Sequence, residues 1–401
     1  METFLNNALA LCGLLAFCIT LPGTLELLLL TIGATHPKRR PPAGGKRDLR
    51  LAIVIPAHDE ASLIGRCVGS VIASARPAGS CEAAGSCETI VVADNCTDQT
   101  AAIARQAGAR VIVRENADLR GKGYALRMAF DVLLEEGFEA FLIVDADSIL
   151  SANLVTEVKH RLAAGAAAVQ CRYRISNHDA SMRTRLMDLA FLAFNVMRLK
   201  GRSGWGLSAG ILGNGFGLRR ETLTRVPWEA SSIVEDLEYH LRLVDARERV
   251  DFINEATVYG ETPATGGSAR VQRSRWEGGR LRMAREWAPK LAAEIARGKW
   301  RLTEPLLELL LLPLAYHVLL LLFALVMMPY PFREWALAAL LLVVLHVTWA
   351  ASLGGQLWKN AAALLAAPFY IFWKMSTVIS VLSASRRNAG WARTARDSQE
   401  P

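Results

Sequence analysis

Apolar residues gather towards the two ends of the chain, and between those ends they alternate with polar residues at two different periods. Residues 8–34 form a long apolar stretch whose one charge is Glu26, more than the ~20 residues a helix needs to cross a hydrocarbon core. Two further stretches, 304–328 and 335–357, are joined by a short segment from Pro329 to Glu334 and predict a helical hairpin of two spans. The stretch 361–382 carries Lys374 within it and has Lys359 before it and Arg386 after it, so it predicts an interfacial or re-entrant helix and not another span. In the middle of the chain, apolar runs at 51–55, 89–93, 110–113 and 141–144 have strand length. The segments between them place apolar residues at helical spacing, as with Leu63, Cys67 and Val71. Strands alternating with helices predict an α/β domain on a largely parallel sheet.

Charge sharpens this layout. The chain carries 46 Lys and Arg against 38 Asp and Glu, and the basic residues cluster beside the apolar stretches and in the tail. That placement suits an anionic membrane surface and disfavours a nucleic-acid partner. Lys38, Arg39, Arg40, Lys46 and Arg47 follow the first stretch, while Arg297, Lys299 and Arg301 precede the hairpin and Lys359 follows it. All these flanks read as cytoplasmic, giving a multi-pass protein of the inner, cytoplasmic membrane. The first stretch lacks a basic start and a small-residue cleavage site, so it is expected to be a retained anchor. Glu26 at that depth is expected to face a structural partner in the protein or, as the alternative, a polar path for the glycan. Seven cysteines without metal-ligand spacing fit a reducing compartment.

The expected organisation is a transmembrane anchor over 1–35, a basic linker over 36–48 and a cytoplasmic catalytic domain over 49–267. Amphipathic interface helices over 268–303, a transmembrane hairpin over 304–357, an interfacial helix over 358–385 and a basic tail over 386–401 follow. A local repeat, 78–82 and 84–88, lengthens the connection before the second strand as a surface insertion.

The candidate chemistry sits at strand ends, where open α/β sheets bind ligands. Pro56, Ala57, His58, Asp59 and Glu60 follow the first strand, Asp94 to Asp98 the second, and Asp145 and Asp147 the fourth. Two carboxylates two residues apart can reach one hard cation, Mg²⁺ or Mn²⁺, that bridges phosphate oxygens. Lys122, in a glycine-broken turn opening a helix, can add charge beside an anion, although the spacing is not a P-loop. Glu235 and Asp236 begin a helix, and a fixed carboxylate there can take the proton of an attacking hydroxyl. Gly213, Asn214 and Gly215 are small enough to let a flat sugar approach the backbone. Gln272 and Arg275 lie one turn apart on a basic amphipathic stretch, and Trp276 offers a stacking platform.

Taken in this order, the residues resemble the family 2 glycosyltransferases with a GT-A fold. The likeness is to the membrane synthases of cellulose, hyaluronan, chitin oligosaccharide and poly-N-acetylglucosamine, and it runs from about residue 51 to residue 396. Its most specific sign is the Q-x-x-R-W of Gln272 to Trp276, after an E-D pair and a D-x-D. The resemblance implies a nucleotide-diphospho-sugar transferase domain inserted between transmembrane helices. It also implies an inverting transfer from a UDP-sugar, of UDP-GlcNAc or UDP-Glc type, to a growing glycan, or to a polyprenyl-phosphate or other lipid-linked acceptor. It assigns Ala57, His58, Glu60 and Asp94 to the uridine, Lys122 and Asp145 to the nucleotide, Asp147 to the metal and Asp236 to the base. Gln272, Arg275 and Trp276 would line the acceptor and diphosphate site, and Trp391, Arg393 and Thr394 resemble a tail that closes over the nucleotide. Membrane lipid and other polysaccharide-synthesis subunits are the implied partners. Two features depart from the pattern: the usual T-E-D is Val234-Glu235-Asp236, and the membrane part is smaller than in the large synthases.

Overall fold

The computed structural model describes residues 2–36, 48–76, 86–230, 232, 234–262, 266–375, 380, 381, 383 and 385. It divides into an α/β unit, Pro37–Asn177 with Arg202–Pro263, and a helical unit, Met1–His36 with His178–Gly201 and Ala264–Pro401.

The α/β unit is built on one eight-stranded sheet. Its strands are β1 (Leu51–Ala57), β2 (Cys87–Asp94), β3 (Arg110–Arg114), β4 (Ala140–Ile143), β5 (Ile149–Leu150), β6 (Ala168–Ile175), β7 (Phe216–Arg219) and β8 (Val250–Gly260). The spatial order is β3-β2-β1-β4-β7-β6-β8-β5. Leu51 to Ile55 of β1 are fully buried, the signature of a central parallel strand covered on both faces. The helix Ile64–Ala75 turns Ile64, Cys67, Val68 and Val71 into that core.

The chain moves from β1 outward to β2 and β3 in parallel, then returns to place β4 on the other side of β1. This reversal creates a switch point, where the carboxyl ends of β1 and β4 open a crevice. The four strands expected from the sequence are all present. Parallel pairing holds among them and again between β6 and β8, whereas β7 runs antiparallel to both β4 and β6, and β5 antiparallel to β8, so the sheet is mixed. The antiparallel pairing matters for the site: Ile143 lies opposite Phe216, so the residues just before Phe216 run beside the residues just after Ile143.

In the helical unit, Asn7–Gly33 and Phe332–Ser352 are long and apolar enough to cross a membrane. The stretch expected as a further span consists of two helical pieces, Trp300–Leu310 and Leu314–Met327, which together are long and apolar enough to span and are bent by 76°. Pro313 explains the break: proline drives the preceding residue away from helical geometry, and the chain is already extended at Leu311, with ψ 132°. The next apolar stretch forms the short helices Leu357–Leu365 and Ala367–Met375. Glu26 is buried and ion-paired with buried Arg198, as a charge in an apolar helix requires. Arg198 comes from residues 178–201, which lie within the sequence range expected for the catalytic domain but pack in the helical unit. Nearby, the Thr31 hydroxyl donates to the Leu27 carbonyl at 2.6 Å and accepts from Nδ1 of His346 at 2.8 Å. Cys12, Cys18, Cys67, Cys87, Cys96 and Cys171 are free thiols.

Candidate active site

The crevice is furnished by loops that the sheet holds at fixed positions. After β1, His58 donates from Nδ1 to the Asp94 carbonyl at 2.7 Å, a direction fixed because a carbonyl can only accept. His58 thereby ties the end of β1 to the end of β2. The buried Asp94 carboxylate takes Arg114 at 2.6 Å and the Asn95 side-chain amide at 2.9 Å, both on Oδ1. Arg114 was not among the residues expected to matter, since its charge stands in the sequence as an ordinary strand terminus. It also donates to the Leu119 carbonyl at 2.8 Å and so anchors the loop that leads to Lys122.

Glu60 is half-buried, and its backbone N–H donates to the Thr100 hydroxyl at 2.7 Å. Asp59, Cys96 and Asp98 bring possible ligand atoms within 4.8 Å of one another. Loop hydrogen bonds already engage them: Asp59 accepts from the Thr97 N–H at 2.7 Å, and Asp98 accepts from Thr100 N–H at 2.9 Å and Ala61 N–H at 3.1 Å. Their evident work is to fold the two loops together.

The densest chemistry lies beyond β4. The helix Lys122–Glu135 starts after Gly121, whose φ of +122° only glycine adopts easily, and this start aims Lys122 at the strand ends. Its ammonium pairs with Asp145, donates to the Gly213 carbonyl at 2.5 Å and stands 4.0 Å from Glu235. Burial alone would push Lys122 down, but Asp145, Glu235 and Asp236 around it outweigh that and hold it above the usual lysine value. Asp147 is half-buried and accepts from the Ser148 hydroxyl at 3.2 Å.

Glu235 and Asp236 open the helix Glu235–Asp245. Burial pushes both carboxyls up, and Lys122 acts against the rise in each. Oδ1 of Asp236 accepts from the Leu237 N–H at 2.8 Å, which orients the group. A Cβ placed on Gly213 would stand 3.2 Å from Oδ2 of the same carboxylate, and Gly213 has φ +78°. The glycine-rich loop therefore forms a floor against Asp236 that only a residue without a side chain leaves open. Asn214 is fully buried and bridges two segments, accepting from the Asp145 N–H at 3.1 Å and donating to the Ser148 hydroxyl at 2.8 Å.

Of the residues singled out from sequence, Lys122, Asp145, Gly213, Asn214, Glu235 and Asp236 are thus brought together by contact. Pro56, Ala57, His58, Glu60 and Asp94 sit at the neighbouring ends of β1 and β2. Gln272, Arg275 and Trp276 lie on the helix Gly266–Ala296 of the helical unit, where the Trp276 ring packs 6.2 Å from that of Phe191. Trp391, Arg393 and Thr394 lie outside the described residues.

The cluster can do three things chemically. A pair of carboxylates after β4 offers hard oxygen donors, a lysine beside them can meet an anion, and a buried carboxylate facing a bare backbone can take a proton.

The family description "Glycosyltransferase like family 2" matches residues 49–279. The probable glycosyltransferase YdaM of Bacillus subtilis is 25% identical over 57% of this chain and 55% of its own length. Beta-monoglucosyldiacylglycerol synthase of Synechocystis is 26% identical over 71% of this chain and 58% of its own length. The chain therefore spans less than three fifths of either curated relative. Among solved structures, the mannosyltransferase PcManGT from Pyrobaculum calidifontis, in complex with GDP-Man and Mn²⁺, shares the fold with a TM-score of 0.57 at 18% identity, over 94% of this chain and 97% of its own.

Proposed function

The chain belongs to glycosyltransferase-like family 2, and from that premise we propose that it transfers a sugar, with inversion, from a UDP-sugar of the glucose or N-acetylglucosamine type to a growing glycan at the cytoplasmic face of a membrane. The observation that carries the proposal is the meeting of Lys122, Asp145, Glu235 and Asp236 at the end of β4, over the backbone of Gly213.

The loops after β1 and β2, with His58, Glu60 and Asp94, hold the nucleoside, and Lys122 and Asp145 face the diphosphate. Asp145 and Asp147 fit a divalent cation, Mg²⁺ or Mn²⁺, because they offer oxygen ligands two residues apart at the crevice. When bound, such an ion neutralises charge on the departing diphosphate. Asp236, oriented by the Leu237 N–H, takes the proton of the acceptor hydroxyl. Glu235, closer to Lys122, balances that cation. The spans Asn7–Gly33 and Phe332–Ser352 support a place at the membrane.

One observation favours a second acceptor. The likeness to beta-monoglucosyldiacylglycerol synthase covers 71% of the chain, which supports transfer of a single sugar to a lipid or lipid-linked acceptor. Purified chain in nanodiscs, supplied with UDP-Glc or UDP-GlcNAc and Mg²⁺ or Mn²⁺, is expected to release UDP and lengthen a glycan primer. A product one sugar longer on a lipid would select the second acceptor. No nucleotide release with any sugar nucleotide would overturn the proposal.

A further inference from the structure

Behind the glycine-rich floor of the site stands Gln170, a residue of β6 that is fully buried. A buried carboxamide is costly unless its hydrogen bonds are made. Here they are made, and every partner lies in or next to one loop. Oε1 accepts from the Leu212 N–H at 2.9 Å. Nε2 donates to the carbonyls of Asn214 at 2.8 Å, Cys171 at 3.0 Å and Gly215 at 3.3 Å. An N–H can only donate and a carbonyl only accept, so turning the amide over would break all of these bonds. The partners thus fix which end is oxygen.

The loop so held, residues 212–215, touches the reaction machinery on its other side. The Gly213 carbonyl receives Lys122, and the Asn214 side chain receives the Asp145 N–H. The Cα of Gly213 faces Oδ2 of Asp236. One short loop therefore spaces the lysine, the donor-side carboxylate and the base. Gly213 and Gly215, at φ +78° and +67°, give that loop little stiffness of its own.

We infer that Gln170 is a positioning residue, whose carboxamide braces the loop 212–215 and so sets the spacing between the Lys122–Asp145 pair and Asp236. The inference rests on the proposed function for its kinetic consequence and on geometry alone for its structural one. Two substitutions test it. Gln170→Met keeps the length and removes every hydrogen bond, and Gln170→Glu keeps Oε1 but turns an oxygen towards three carbonyls.

In both, the rate of sugar transfer at saturating donor is expected to fall on the order of 10²-fold, the scale of a displacement of about 1 Å in a reacting constellation. UDP affinity is expected to fall far less than turnover, because the loops after β1 and β2 hold the nucleoside and the brace reaches the nucleotide only through Lys122 and Asp145. Hydrogen–deuterium exchange is expected to speed up in the peptide covering 209–218 and not in β1 or β2. A folded variant with wild-type turnover and wild-type exchange in that peptide would overturn the inference. So would uniform loss of protection with UDP affinity falling in proportion, the mark of a residue that only stabilises the fold. The exchange measurement needs no turnover, so it decides the bracing role even if the wild-type chain releases no nucleotide and the proposed function fails.

Discussion

A charge pair in the helical unit and a charge cluster in the α/β unit are buried in opposite ways. In the helical unit, Glu26 meets Arg198 with both buried, and the half-buried Glu277 meets Lys374 at 2.7 Å. In the α/β unit, one lysine stands among Asp145, Glu235 and Asp236, with Asp147 close by in the chain. A closed pair is electrically complete and asks for nothing further. The acid-rich cluster keeps an excess of negative charge, which a divalent cation or a proton must settle, and such excess is a mark of chemistry and not of support. Charge in an apolar setting is thus closed in those pairs, as it is in Asp94 with Arg114 of the α/β unit, and left open in the cluster.

The largest effect that would sharpen this contrast is at the metal. Asp147→Asn removes one of the two carboxylates fitted to the ion, and it is expected to abolish divalent-dependent turnover while the protein still folds and inserts. Full activity of that variant, or of the wild type in excess chelator, would break the assignment. Next comes the helical pair. Glu26→Ala leaves Arg198 buried without its partner and should destabilise the fold by about 3–5 kcal/mol. Replacing both residues with leucine should recover most of that loss. Chemical unfolding in detergent measures both, and turnover per folded molecule is expected to stay at the wild-type level.

A smaller effect is expected from Gly213→Ala. The left-handed backbone costs on the order of 1–3 kcal/mol for a residue with a side chain, and the added methyl crowds Asp236. Turnover should fall about tenfold, if about 1.4 kcal/mol of that strain reaches the transition state. The smallest effect is a shift in pH dependence. Burial raises the folded-state pKa of Asp236, and the base works only when deprotonated. Turnover should therefore be present above the raised value and be lost as pH falls through it. An acid limb at the ordinary aspartate value of about 3.9 would contradict this.

Much of the reactive unit was legible because its first half obeys simple periodicities. Continuous apolar runs gave β1 to β4, and the acids at their ends gave His58, Asp94 and Asp145 their place. The second half was less legible. The loop of Gly213 to Gly215 reads as a ligand-approach segment, yet it runs straight into β7, a short strand in the middle of the sheet. Gln170 looks like a solvent-facing polar residue of a strand, because nothing local shows that a loop 42 residues away will take its hydrogen bonds. Arg198 is equally silent, since its partner Glu26 is 172 residues distant. The bend at Pro313 was visible as a residue but lost within the surrounding leucines, whose summed hydrophobicity suggests one continuous span.

The contrast between reactive and structural charge rests finally on Asp236. The direct measurement is UDP release at saturating donor by Asp236→Asn, set beside its UDP affinity. The variant is nearly isosteric but cannot take a proton, so turnover is expected to fall about 10²–10⁴-fold, as for loss of a general base, with affinity unchanged. Wild-type turnover by Asp236→Asn, or a larger loss in Glu235→Gln than in Asp236→Asn, would contradict the assignment of the base.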